Sequence, residues 1–260
     1  MTISAKTKRN RPDAAKEIGL VPLPEEMLLN IRVDGRHLSR LSCSPFGQRE
    51  LVLGWLFGQN VIKTAADVSA MEINGDQAFV SLYAEAGLGL KQYNPVQVTA
   101  CSGGEVRPGL FENLPSVSRS YSFTLAQAIS LMEQLPPRAE MFKKHGGIHC
   151  SMLADMKEQC LLASREDIGR SNSVDKVIGW ALLNGTDFGQ AALLTTGRIS
   201  AEMALKVLHA GIPTLISQTT LTSKALEIVR RTGLTLIGHV LKPRPILLNF
   251  YHLQTNGQIR

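Results

Sequence analysis

Hydrophobic and polar positions change their period along this chain, and the changes mark out its elements. Leu28-Leu29-Asn30-Ile31-Arg32-Val33 alternates with a period of two, as a strand does. Asp34-Gly35 is a hairpin turn signal, and 37–41 reads as the return strand. Ser44-Pro45 then opens a helix carrying Leu51, Val52, Trp55 and Leu56 that closes near Gly58, and 78–83 supplies a further strand. Beyond residue 120 the pattern becomes regular. Thr124 suits the N-cap of a helix running to Leu135, where Pro136-Pro137 should end it. Gly146-Gly147 leads into a strand over 148–153, a polar turn at 155–158 and a second strand to Ser164, which together read as an antiparallel hairpin. From there the spacing predicts helix 174–184, strand 191–196, helix 200–210, strand 212–217, helix 223–232 and strand 234–240. Strands that alternate with helices imply parallel pairing through right-handed crossovers. Gly211 and Gly233 fit helix C-caps, and Ser200 and Ser223 fit N-caps.

The fold class expected is α/β: a small α+β N-terminal module followed by a three-layer domain with a mixed sheet. The boundaries read as a disordered basic tail over 1–20, the α+β domain over 21–115 and the larger domain over 116–260. At 260 residues the chain can bury a full core. Aromatics make up only 5% of it, so the apolar content is mainly aliphatic, which suits an α/β interior. The longest apolar window, 51–57, is too short to span a bilayer, and no apolar segment of the signal-peptide kind follows the basic start. A cytoplasmic protein with no membrane partner is expected.

Part of the net charge of +6 sits in the arm as Lys6, Lys8, Arg9 and Arg11. A solubilising tail explains that cluster better than nucleic-acid binding, because no aromatic residues interleave with it. A basic balance also helps to hold a phosphate-bearing ligand. Cys43, Cys101, Cys150 and Cys160 are too irregularly spaced for a disulfide framework, and neither Cys-x-x-Cys nor a paired-His motif supports a metal site. Cys43, Cys150 and Cys160 read as small buried hydrophobes.

Three loops should leave the carboxyl ends of strands on one edge: 165–173, 195–200 and 217–223. With the helix starts that follow them, they offer Arg170, Lys176, Arg198, Lys224 and many hydroxyls. Each alone could be an ordinary N-cap with a solvated cation. Convergence at a sheet edge favours one pocket for an anionic, nucleotide-like ligand.

Several motifs, in order, resemble the FdhD family of formate dehydrogenase accessory sulfur carriers. They are Cys43-Ser44-Pro45, Gly146-Gly147-Ile148-His149, Glu166-Asp167-Ile168-Gly169-Arg170-Ser171-Asn172-Ser173-Val174-Asp175-Lys176, Thr196-Gly197-Arg198-Ile199-Ser200, Ala210-Gly211-Ile212-Pro213 and Leu234-Thr235-Leu236-Ile237-Gly238. The resemblance spans roughly Glu25 to His252. It implies a larger domain similar to the cytidine deaminase fold, and a carrier between a cysteine desulfurase and formate dehydrogenase or a related molybdoenzyme. The cargo it implies is the molybdenum cofactor, as bis(molybdopterin guanine dinucleotide), with a homodimer plausible for such a family. Cofactor binding falls on Arg170, Asn172, Lys176, Thr196, Gly197, Arg198 and Ser200. It also falls on a C-terminal segment resembled by Leu248-Asn249-Phe250-Tyr251-His252, one residue shorter than the family's pattern.

Cys101 stands where the family's Cys-x-x-Cys loop begins, but here the run is Cys101-Ser102-Gly103-Gly104, with glycine in place of the second cysteine. One thiolate suffices to carry a persulfide, so Cys101 is the candidate catalytic residue. The missing thiol supports an alternative, a cofactor-binding chaperone that transfers no sulfur. Deaminase chemistry is not expected, because His149-Cys150-Ser151 lacks the required glutamate and no Pro-Cys pair exists. Alternation puts His149 and Cys150 on opposite faces, His149 toward the pocket and Cys150 into the core.

Overall fold

The structure is a computed structural model that describes residues 4–7, 19–84, 96–97, 105–106 and 114–250. Near the N-terminus β1 (Ser4–Thr7) pairs antiparallel with β2 (Gly19–Pro22), so part of the arm expected to be a featureless tail forms a ribbon. A four-stranded sheet follows, in the order β4-β3-β6-β5. It consists of β3 (Met27–Val33), β4 (Arg36–Cys43), β5 (Val68–Asn74) and β6 (Gln77–Leu82). The hairpin between β3 and β4 turns at Asp34 and Gly35, both at positive φ, which is what a two-residue turn with this twist requires. Helix α1 (Gln48–Gly58) covers one face, where Leu51, Val52, Trp55 and Leu56 pack on Leu29, Ile31, Val33 and Val80. Two short strands, β7 (Val96–Gln97) and β8 (Glu105–Val106), pair antiparallel.

The second sheet has six strands in the order β10-β9-β11-β12-β13-β14. β9 (His149–Asp155) and β10 (Cys160–Asp167) form the expected hairpin. β11 (Ala191–Thr195), β12 (Thr214–Ser217) and β13 (Thr235–Gly238) are parallel, and β9 and β14 (Ile246–Leu248) run against them. On one face lie α5 (Arg170–Leu183), α6 (Ala201–His209) and α7 (Ser223–Thr232), packed around Leu153, Leu193, Leu215 and Leu236. On the other lies α2 (Leu125–Glu133), with Leu131 and Met132 against Met152, Leu194, Ile216 and Ile237. Central strands buried on both faces explain why their sequences are continuously apolar. The result is the mixed sheet that the alternation of strands and helices predicts, with helices on both faces, as in the three-layer domain that the resemblance implies.

Three local expectations change. Pro136 and Pro137 do not stop the helical path: they lie in the first turn of a short helix, α3 (Leu135–Arg138), where the missing amide costs nothing. A further helix, α4 (Glu140–His145), follows it. The cap of α7 is Thr222, whose hydroxyl accepts from Ala225 N, so Ser223 is already inside the helix. Cys160 is exposed rather than buried, because it begins an edge strand.

The two sheets meet through α1 and α5. A Cβ on Gly54 would lie 1.8 Å from the Asp175 carbonyl oxygen, and one on Gly179 would lie 1.9 Å from that of Glu50. Backbone therefore touches backbone at this crossing, and any larger residue would force the helices apart. The sequence read α5 as starting at residue 174. It starts four residues earlier, because its polar first turns are buried rather than solvated.

Candidate functional site

The motif around residues 166–176 divides into groups that hold the fold and groups that face outward. Asp167 is fully buried at the end of β10. Its carboxylate accepts from Ser44 N at 3.1 Å, Gly169 N at 2.8 Å and Asn172 Nδ2 at 2.9 Å, and it meets Lys176 Nζ at 2.6 Å. Lys176 is 0% exposed, donates also to the Glu166 carbonyl and lies 4.4 Å from the centre of the Phe46 ring. Asn172 donates its second bond to the Ser42 carbonyl at 2.7 Å. These residues fasten the chain before α1 to the start of α5. The sequence placed Asn172 and Lys176 in a ligand pocket; the structure turns both inward, with their polar groups already engaged.

A second buried cluster joins α5 to α6. Lys206 Nζ lies 2.6 Å from Asp175 and 3.0 Å from Glu202, and Ser171 bridges to both Glu202 and Lys206 at 2.7 Å. Burial pushes the Asp175 carboxyl up, against the pull of Lys206, and its Oδ1 has no hydrogen-bond partner among the described residues. Glu202 moves down because Lys206 and the Ser171 hydroxyl outweigh its own burial. The third pair, Arg165 to Glu50, is bidentate at 2.6 Å and ties β10 to α1. It borders a groove of about 910 Å³ lined by residues 46–50 and 164–166. That groove is not the strand-end edge that the three loops define.

At that edge, His149 begins β9 beside the end of β11. Thr196 is stitched across the gap, its N donating to the Cys150 carbonyl at 3.0 Å and its hydroxyl accepting from Cys150 N at 3.1 Å. The same hydroxyl lies 3.5 Å from His149 Nδ1. A Cβ on Gly197 would sit 2.9 Å from Arg170 Cβ, so glycine lets the Arg170 stem lie over the loop. Beneath it, Ser151 bonds Ser173 and Thr195 at 2.8 and 3.1 Å, while Thr195 Oγ1 accepts from Gly197 N and Ser217 donates to the Gly197 carbonyl. Ser200 is engaged as the N-cap of α6, accepting from Met203 N.

His149 is held below its usual range by burial first, then by the positive charges of Arg170 and Arg198, with Asp167 opposing them. No ion pair within 4 Å neutralises Arg170 or Arg198 among the described residues. The edge is therefore a cationic, half-buried niche around a neutral imidazole, suited to oxyanions. His149 faces it. Cys150 is fully buried on the opposite side, its thiol pushed up to about 11 by burial, and so is chemically quiet. Lys224, also assigned to this edge by the sequence, is instead exposed on α7 and paired with Glu227.

The C-terminal segment lies elsewhere. Because β14 is antiparallel to β13, Leu248 and Asn249 approach Thr235 at the amino end of the parallel strands, away from Thr196 to Ser200. Asn249 caps the end of α7, donating to the Val229 and Leu234 carbonyls. Phe250 is buried against Phe123, and its carbonyl accepts from Arg119. One chain thus holds the two halves of the expected cofactor site at opposite ends of its sheet. Tyr251, His252 and Cys101 lie outside the described residues. Arg119, which the sequence reading passed over, sits in an unpatterned stretch with no motif around it.

Three comparisons bear on this architecture. The fold is shared with a crystal structure from Desulfotalea psychrophila, of a protein described as a formate dehydrogenase accessory protein. The two superpose with a TM-score of 0.76 at 24% identity, over 95% of this chain and 96% of that one. The FdhD/NarQ family model matches residues 24–254, and the chain belongs to that family. It is 30% identical over 218 residues to the sulfur carrier protein FdhD of Geobacillus kaustophilus, covering 82% of each. It is 31% identical over 234 residues to that of Halalkalibacterium halodurans, covering 87% of this chain and 84% of the other.

Proposed function

We propose that this chain carries sulfur from a cysteine desulfurase to the molybdenum cofactor of formate dehydrogenase or a related molybdoenzyme. The Cys101 thiolate attacks the outer sulfur of the desulfurase persulfide. A bond forms from Cys101 Sγ to that sulfur, the desulfurase S–S bond breaks, and the electron pair leaves on the desulfurase thiolate with no net oxidation. The bis(molybdopterin guanine dinucleotide) cofactor is the substrate, held by its phosphate oxygens at the edge of Arg170, Thr196, Gly197 and Arg198. The observation that carries this reading is that Arg170 and Arg198 stand beside His149, whose pKa they lower, with no carboxylate within 4 Å of either among the described residues. The names of the related carriers support the sulfur chemistry. A homodimer belongs to the same reading, since a second copy offers a way to bring Leu248–Phe250 to a ligand at the opposite sheet end. A cytoplasmic setting suits it, because thiols stay reduced there.

A second reading, cofactor delivery without sulfur transfer, draws on Gly104 standing where the family has its second cysteine. Intact-mass analysis after incubation with a cysteine desulfurase and cysteine separates the two. The carrier gains one sulfur on Cys101, and Cys101→Ala gains none while remaining folded. Wild-type protein that binds cofactor without acquiring sulfur would establish the chaperone instead.

A further inference from the structure

The groove of about 910 Å³ beside the Arg165–Glu50 pair belongs neither to the strand-end niche nor to the C-terminal segment. It is bordered by the chain entering α1, by β10 at Ser164 to Glu166, by Ile73 of β5, by Arg138 of α3 and by Leu183 at the end of α5. Its acidic groups are already engaged. Glu50 holds Arg165 bidentately at 2.6 Å, and the Glu166 carboxylate accepts from the backbone amides of Met141 and Phe142 at 3.0 and 2.9 Å. Its cations divide differently. Lys176 is spent on Asp167, but Arg49 and Arg138 are exposed, and no carboxylate lies within 4 Å of either among the described residues. Arg138 donates to the Gln134 carbonyl at 3.2 Å, a contact that supplies no counter-charge.

The same groove presents apolar surface. Leu183 is 43% exposed, and Phe46 and Ile73 are half-buried. Strand addition is closed off, although β10 lies at the edge of its sheet. The Ser164 carbonyl accepts from the Arg165 guanidinium at 2.8 Å, and that of Glu166 from Lys176 Nζ at 3.2 Å. An occupant is therefore recognised through its side chains and not by main-chain pairing. Exposed cations on separate helices each hold a free anion weakly. Apolar burial has to supply the rest of the affinity. A polypeptide segment offers carboxylates and apolar side chains together, which a small anion does not.

We infer that this groove docks an acidic segment of a protein partner. Its carboxylates meet Arg49 and Arg138, and an apolar side chain lies against Phe46, Ile73 and Leu183. The volume is at the upper end of the range for small-molecule pockets, enough for a few side chains. This surface is separate from the Arg170–Arg198 niche, and it stands whether or not Cys101 carries sulfur.

A library of random peptides displayed on phage and selected on the full chain tests this. Enriched sequences should combine aspartate or glutamate with aliphatic or aromatic residues. A fluorescein-labelled synthetic copy of the most enriched peptide should bind less tightly as salt rises. Its affinity should fall at least about tenfold in the double variant Arg49→Glu with Arg138→Glu, and about threefold in Leu183→Ser. Affinity should persist in Lys157→Glu with Lys224→Glu, which makes the same change of net charge at exposed positions elsewhere. Arg49→Glu puts an acid in the first turn of α1, where the helix dipole favours it, so an unaltered melting temperature is expected. Enriched peptides without carboxylates, or no enrichment at all, overturn the inference. So does equal affinity in the wild type and the Arg49→Glu, Arg138→Glu variant.

Discussion

The core where α1, α5 and α6 meet and the two ends of the six-stranded sheet treat their cations in opposite ways. In the core Lys176 and Lys206 each meet a carboxylate at 2.6 Å, and at its border Arg165 does the same. At the sheet ends, Arg170 and Arg198 on one side and Arg119 and Arg230 on the other meet none among the described residues. Both groups derive from the same basic composition, and Arg170 and Lys176 even share one helix. The difference separates cations that hold the molecule together from cations available to a partner. A motif in a family sequence therefore need not be a ligand list: most of the 166–176 run is an internal fastening, and Arg170 is the member that faces the niche.

The comparison breaks most sharply at Lys176. Lys176→Met leaves Asp167 buried without its cation, and urea denaturation should show a loss of about 3–5 kcal/mol. A loss below about 1 kcal/mol would mean that the three hydrogen bonds to Asp167 suffice, and that the ion pair adds little. The next largest effect is on binding. Arg170→Ala and Arg198→Ala should each cost about 1.5–3 kcal/mol in affinity for a guanine nucleotide, tenfold or more, and the exposed Arg198 should be removable without loss of melting temperature. Unchanged affinity in both variants would move the ligand away from this edge.

The smallest effect concerns His149. Its pKa is depressed in the folded protein, so the unfolded chain binds more protons just below pH 6.5. The associated stability is complete above that pH and is lost as pH falls toward the folded value. Arg198→Ala removes one of the charges responsible and should raise the His149 pKa, followed by the imidazole NMR signals, and flatten this acid loss in urea melts. An unchanged His149 titration would show that Arg198 contributes no field at the imidazole, leaving burial and Arg170 to set it.

Much of the fold is written locally. Asp34-Gly35, the Thr124 cap and the glycines after α6 and α7 each dictate a turn by their own backbone or side-chain chemistry. So the alternation of strands and helices could be read directly. The polar start of α5 could not, since its partners come from distant segments: Ser44 lies 123 residues before Asp167, and Lys206 lies 31 residues after Asp175. Hydrophobic periodicity carries no mark of a polar group that will be satisfied inside. The convergence of Arg170, Thr196, Gly197 and Arg198 was legible, because parallel strands deliver their following loops to one edge. The place of Leu248 to Phe250 was not, because the direction of a three-residue strand is set by pairing and not by its own pattern.

The crossing at Gly54 and Gly179 has a mechanical corollary. Contacts between helices usually run through side chains, whose rotamers yield like springs. Here peptide groups abut directly, so that compliance is missing. The two sheets are coupled as through a rigid bearing, and strain applied to the hairpin side is delivered with little damping to the helix that carries Arg170.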